Sequence, residues 1–109
     1  MTDRKEPIGS ISEEFELLER HILILRTVKI HQPVGLIRLS EMTGIPKHKV
    51  RYSLKLLEKE GIIVATPGGA TVTAGYDDFL RNISEYVRGL YAKVEELQSQ
   101  IDCPGRQIG

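Results

Sequence analysis

Two glycines divide the middle of this 109-residue chain into segments with different sequence patterns. Apolar residues recur at helical spacing over residues 36–43, and Gly44 follows as a stop, because glycine readily adopts the left-handed conformation that ends many helices. Pro46 suits the first turn of a second helix, which reaches Glu60 before Gly61 ends it. The order of short helix, tight turn and second helix constrains the fold more than any other feature.

A longer helix is predicted before this pair, over about residues 10–30. Its apolar residues are numerous enough that we expect the helix to be largely buried. They are Phe15, Leu17, Leu18, Ile22, Ile24, Leu25 and Val28. The buried side of the short helix is predicted from its own apolar residues, which are Leu36, Ile37, Leu39 and Met42.

A β-hairpin is predicted after the second helix. Residues 62–66 are mostly β-branched, which favours a strand. The Pro-Gly-Gly sequence at 67–69 is typical of a turn, and residues 70–73 are predicted to return as the second strand.

The segments SEMTGIP (residues 40–46) and VRYSLKLLEKEGII (residues 50–63) resemble the winged helix-turn-helix transcriptional regulators of bacteria and archaea, specifically the small type with a C-terminal dimerisation helix. The resemblance covers about residues 15–74. It implies a mainly α (α+β) fold, with a two-stranded wing and a long, coiled-coil-like C-terminal helix. It also implies that the helix over residues 46–60 enters the DNA major groove.

The second helix has a basic side that points to the same function. With Val50 placed at the centre of a helical wheel, Leu54 and Leu57 fall within about 40° of it and form a buried stripe. The candidate DNA-binding residues lie on or beside the opposite arc and are called the basic arc: Lys47, His48, Lys49, Arg51, Tyr52 and Lys55. Lysine neutralises phosphates, whereas Arg51 and Tyr52 are the better candidates for base edges. The alternative is that this basic side is merely solvated, on a helix whose role is to pack against the core.

Net charge by itself does not suggest a nucleic-acid partner, since 15 basic and 15 acidic residues cancel. Their distribution is uneven. Residues 46–60 carry 5 basic and 2 acidic groups, so the predicted second helix is net positive although the chain as a whole is neutral.

The predicted wing is uncharged, although winged proteins often carry Arg or Lys at the hairpin tip. Backbone N–H groups and threonine hydroxyls there are candidates for phosphate contacts. The wing residues in question are Thr66, Gly68, Gly69 and Thr71. The alternative is a wing that merely closes the fold.

A final helix is predicted from Asp77 or Asp78 to about residue 101, and its apolar residues alternate at spacings of 3 and 4. This pattern is the a/d repeat of a coiled coil, and we call it the heptad seam. The candidate dimerisation residues are Leu80, Ile83, Val87, Leu90, Val94, Leu97 and Ile101. They span about 33 Å of helix, which favours a partner helix over packing against the chain's own first helix. The flanking residues do not distinguish a parallel from an antiparallel dimer.

The domain organisation follows from these segments. We predict a flexible N-terminal arm (1–9), a winged helix-turn-helix domain (10–75), a dimerisation helix (76–102) and a disordered tail (103–109). Cys103, the single cysteine, excludes an internal disulfide framework, and is expected to be a free thiol or a cross-dimer partner. No apolar run suits a membrane span and no signal peptide is evident, so a cytoplasmic location is expected.

No catalytic, cofactor or metal site is predicted. His21, His31 and His48 share no ligand spacing, and no nucleophile–base pair or nucleotide-binding loop is evident. The leading hypothesis is a sequence-specific regulator that binds double-stranded DNA as a homodimer. The first alternative is a winged-helix module that binds protein and not DNA. The second is a binder of RNA or single strands, which is less favoured because such proteins stack bases on several aromatic side chains and the basic arc has one.

Overall fold

The computed structural model describes residues 11–103. It contains four helices and a two-stranded antiparallel hairpin, in agreement with the predicted fold class. In chain order the elements are α1 (Ile11–His31), α2 (Leu36–Thr43), α3 (Lys47–Lys59), β1 (Ile63–Thr66), β2 (Gly69–Val72) and α4 (Tyr76–Asp102). The predicted arm at 1–9 and all of the predicted tail except Cys103 lie outside the described residues; Cys103 is exposed.

The chain divides into two compact units, the first ending at Tyr76 and the second beginning at Asp77. The first unit contains α1, α2, α3 and the hairpin. The second contains α4 from Asp77.

The turn between α2 and α3 forms as its sequence predicts. Gly44 has φ 76°, and its N–H donates to the carbonyl of Ser40. The Ser40 hydroxyl donates in turn to the carbonyl of Ile45, 2.7 Å away. Ile45 is half-buried, and Pro46 leads into α3 with φ −57°. These local hydrogen bonds fix the geometry that sets α3 against α2.

The hairpin pairs from Ile63 with Val72 to Thr66 with Gly69. β1 starts one residue later than the predicted residue 62, and β2 starts and ends one residue earlier than the predicted range of 70–73. The start of β2 is fixed at Gly69, because only glycine tolerates its φ of 132° and its closeness to Val34. Val34 pairs with Ala70 on the outer edge of β2, through hydrogen bonds of 3.1 and 2.8 Å.

The core of the first unit forms where α1, α2, α3 and the hairpin meet. Its buried apolar residues come from every element of that unit: Ile24, Leu25, Val28, Val34, Leu39, Val50, Leu57, Ile62, Ile63 and Ala70. Two polar residues, His21 and Ser53, are buried among them.

Two burial predictions are wrong. The buried residues of α1 all lie between His21 and Val28, and Phe15, nearer its start, is 45% exposed. In α2 only Leu39 is buried, while Ile37 is 57% exposed and Met42 is also exposed. A helix of 21 residues is longer than the 8- and 13-residue helices that pack against it, so those partners cover only part of its length.

Candidate nucleic-acid interface

All six side chains of the basic arc are exposed. The opposite side of α3 is held in the core by Val50, Ser53 and Leu57, all of them buried. Leu54, which was predicted to be part of the buried stripe, is only half-buried, because the buried side is centred between Val50 and Ser53. The packing of α3 therefore places its cationic residues on the surface of the first unit.

Two sources of positive charge coincide at the start of α3. Its first turn contains no acidic residue, and Pro46 makes no side-chain cap hydrogen bond. The unsatisfied N–H groups of a helix start carry the positive end of the helix dipole, which attracts anions. Lys47 and Lys49 add two ammonium groups at the same place.

The cations of the basic arc are not neutralised within the described chain. Over residues 11–103, the ion pair that forms joins Arg81 to Asp78 in α4, with 2.7 Å between guanidinium nitrogen and carboxylate oxygen. None of the lysines or Arg51 of the basic arc is within 4.0 Å of a carboxylate in that part of the chain. Their charges are available to an external anion.

A buried polar pair lies directly beneath the basic arc. Nδ1 of His21, in α1, shares a 2.8 Å hydrogen bond with the hydroxyl of Ser53, in α3. The same imidazole stacks on the ring of Tyr52, with 6.3 Å between the ring centroids and 28° between the planes. Tyr52 is 53% exposed, so its ring has one face toward His21 and part of its surface in solvent. Burial, and to a smaller extent the neighbouring Arg20 guanidinium, lowers the pKa of His21 below its ordinary value.

Neither His21 nor Ser53 was predicted to be part of the core or of the interface. A signal was present, since His21 lies between Leu25 and Val28 on the helical wheel of α1, and Ser53 lies close to Val50 on that of α3. Their polarity argues against burial for each residue alone. Their pairing, across 32 residues of sequence, satisfies the Ser53 hydroxyl and Nδ1 of His21 in the core.

The wing residues are placed at the turn of the hairpin and on β2. Thr66 and Gly68 are exposed, whereas Gly69 and Thr71 are half-buried. The Thr66 hydroxyl donates to the carbonyl of Gly69, 2.6 Å away, so its proton is already used within the hairpin. In this conformation Thr66 lacks the donor proton that a phosphate contact needs.

The heptad seam on α4 is not buried within the chain, and α4 as a whole contains no buried residue. The seam becomes more exposed toward its C-terminal end. Leu80, Ile83 and Leu90 are half-buried, whereas the other four are exposed: Val87, Val94, Leu97 and Ile101. Large apolar side chains at regular spacing are thus accessible along one side of a 27-residue helix.

Residues 11–103 contain neither a metal-binding cluster nor a membrane-spanning helix. No group of three or more His, Cys, Asp or Glu side chains is arranged to hold a metal ion. No helix in that range has the length and apolar content needed to cross a bilayer.

The chain matches no protein-family model. Among solved structures it resembles the activation domain of the phage T4 transcription factor MotA, with a TM-score of 0.54 and 17% sequence identity. The match covers 83% of this chain and 97% of that domain. A likeness at this level of identity shows that the two chains share a fold.

Proposed function

We propose that this protein is a transcriptional regulator that binds double-stranded DNA as a homodimer, with α3 in the major groove. The observation that carries the proposal is the basic arc, because its six side chains are exposed together on one side of a helix that is anchored in the core by the other side. The major groove of B-DNA admits one α-helix. We propose no catalytic activity and no cofactor.

The roles of the individual residues follow from their chemistry and their position along α3. Residues in the N-terminal half of a recognition helix approach the base edges. Arg51 donates two parallel hydrogen bonds to the O6 and N7 atoms of a guanine, and Tyr52 presents a hydroxyl or ring edge beside it. Lys47, Lys49 and Lys55 neutralise phosphates, and this function is supported by the lack of any carboxylate partner for them in the described chain.

The wing has a smaller role in this proposal than in the winged helix-turn-helix regulators that the sequence resembles. It carries no charge, and the Thr66 proton is engaged within the hairpin. Backbone N–H groups near Gly68 and the Thr71 hydroxyl are the polar donors that we assign to it. We therefore expect α3 to supply most of the affinity for DNA.

Homodimerisation is proposed through the heptad seam. The seam exposes side chains such as Val94 and Leu97, each 56% exposed, which a partner helix would cover. Two copies related by a two-fold axis present two α3 helices, so the bound site is a near-palindrome. We propose a cytoplasmic location, as the resemblance to bacterial and archaeal regulators implies.

The direct test is selection of bound sequences from a random duplex library with the purified chain. The proposal predicts an enriched motif with two half-sites separated by about one helical turn, or a multiple of it. Enrichment of single half-sites would support DNA binding and contradict the dimer. The absence of any enriched sequence would contradict the proposed function.

A protein-binding module is the second candidate, and two observations favour it. The structurally similar domain is described as an activation domain. In addition, the first unit has an open groove of about 210 Å³ between α3 and the hairpin, lined mostly by apolar residues that include Val34, Leu54 and Ile63. Under this hypothesis the purified chain binds no duplex at moderate salt and co-purifies with an unrelated protein.

A further inference from the structure

His21 is buried in the interface between α1 and α3, where the described part of the chain offers a hydrogen-bond partner to one of its two ring nitrogens. The residue is 7% exposed, and its Nδ1 is satisfied by Ser53, which is fully buried. Its other ring nitrogen, Nε2, is buried and has no hydrogen-bond partner among residues 11–103. This arrangement suits a neutral imidazole, because the proton can reside on Nδ1 and leave Nε2 as an unprotonated acceptor.

Protonation of His21 makes this arrangement unfavourable. An imidazolium carries N–H donors on both ring nitrogens, and a buried donor without an acceptor is costly. The charge itself is also unfavourable, since the charged group facing His21 from α1 is the cation Arg20. From α3 the neighbouring titratable group is the Tyr52 phenol, β2 has no ionisable side chain, and the ionisable residues of α2, Arg38 and Glu41, are exposed. None of these groups supplies a compensating carboxylate to the ring.

The imidazole is in contact with the proposed DNA-binding surface through Tyr52. The two rings stack at a centroid distance of 6.3 Å, within the range of favourable aromatic pairs. Tyr52 and Ser53 are adjacent in α3, so one side chain from α1 contacts two consecutive residues of the proposed recognition helix. A movement of the His21 ring therefore changes its contacts with both Tyr52 and Ser53.

We propose that neutral His21 is a positioning residue that holds Tyr52 and α3 in the DNA-binding arrangement, and that its protonation disrupts this arrangement and weakens duplex binding. The inference rests on the proposed function, which it deepens by adding sensitivity to acid. His21 does not contact DNA itself, because it is covered by α3. The same mechanism requires that Tyr52 respond to the protonation of His21 even when no DNA is present.

The first experiment is therefore an NMR titration of the free, full-length wild-type chain. It follows the His21 ring resonance and the Tyr52 ring and backbone resonances from about pH 7.5 to about pH 5.5. The proposal predicts that Tyr52 and Ser53 shift with the same midpoint as His21. Tyr52 resonances that do not move with that midpoint would overturn it.

The second experiment measures duplex affinity over the same pH range, using the sequence enriched from the random library. We expect wild-type binding to weaken about fivefold or more toward acid, the lower end of ordinary coupling between two sites. The double variant His21→Phe with Ser53→Ala keeps a ring against Tyr52 and has neither a titrating group nor an unsatisfied hydroxyl. Its affinity is predicted to be maintained in acid, and an acid-induced loss equal to that of the wild type would overturn the proposal.

His48 requires a matched control, since it is the histidine that the basic arc itself exposes. The variant His48→Gln removes that imidazole, and its acid-induced loss of affinity is expected to be at least as large as that of the wild type. Wild-type protein that binds no duplex even at about pH 7.5 would contradict the proposed function. The NMR titration would then still decide whether His21 positions Tyr52.

Discussion

The imidazole of His21 and the hydroxyl of Ser53 form a buried 2.8 Å hydrogen bond that joins α1 to α3. Both residues lie among apolar side chains, and Ser53 has no exposed surface. The bond therefore satisfies two polar groups that would otherwise be buried without partners, and it does so directly beneath the basic arc.

Removing one member of this pair is expected to destabilise the fold more than removing both. Ser53→Ala leaves Nδ1 of His21 buried without a partner, at a cost of about 1 to 3 kcal/mol in the free energy of unfolding. The double variant His21→Phe with Ser53→Ala replaces both partners by apolar groups and is expected to lose less. Urea denaturation at one fixed protein concentration measures both values. His21→Phe alone is measured in the same way. A double variant whose loss relative to the wild type equals the sum of the losses of Ser53→Ala and His21→Phe would show that the pair is not coupled.

The stability of the fold is expected to fall as the solution becomes acidic. The pKa of His21 is lowered in the folded chain, so below about pH 6.5 the unfolded chain binds a proton that the folded chain does not. The contribution of His21 is therefore fully present above that pH and is lost as the pH falls toward the folded-state pKa. Denaturation at several pH values tests this, with the double variant as the reference. Equal pH dependence in the two proteins would argue against the assignment to His21.

Gly69 is expected to tolerate no side chain. A Cβ at this position would lie 2.6 Å from the carbonyl carbon of Val34, and the φ of 132° is unfavourable for any other residue. We expect Gly69→Ala to cost at least about 2 kcal/mol, because strain and steric overlap add. Gly89→Ala, in α4, is the matched control, since a Cβ there meets nothing within 4 Å and alanine favours a helix. Thermal unfolding of the two variants measures the difference, and a stable Gly69→Ala protein would contradict the close packing of β2 on Val34.

The heptad seam is predicted to hold two copies together. Light scattering at about 50 µM should give the mass of a dimer for the wild type and of a monomer for Leu97→Glu, because the new carboxylate lies in the seam. Ser99→Glu introduces the same group on the opposite side of α4, and that variant should stay dimeric. A monomeric wild-type chain, or two variants of equal mass, would refute the role of the seam.

The sequence predicted the fold well where local chemistry decides the structure. The bounds of α2 are as expected because Gly44 ends the helix through its own backbone conformation. The basic arc was predicted because one buried stripe fixes the orientation of α3. The exposure of Phe15 was missed, because an apolar stripe shows which side of a helix can be buried but not how far its partners extend along it.

The remaining features depend on contacts between residues far apart in the sequence, which the spacing of apolar residues does not reveal. The start of β2 is set by the close approach of Gly69 to Val34, 35 positions earlier in the chain. His21 and Ser53 were missed for the same reason, since each is buried only because the other lies opposite. The seam remains a prediction, because a single chain does not show what covers it.

The salt dependence of duplex binding tests the central claim, that the basic arc on α3 binds DNA. The double variant Arg51→Ala with Lys55→Ala is compared with a control of equal charge away from the basic arc, Arg26→Ala with Arg88→Ala, on the enriched duplex. We predict that the wild type and the control lose affinity steeply with salt, and that the arc variant binds at least about tenfold more weakly, with a shallower slope because fewer counterions are released. A folded arc variant that matches the wild type in both affinity and slope would contradict the account.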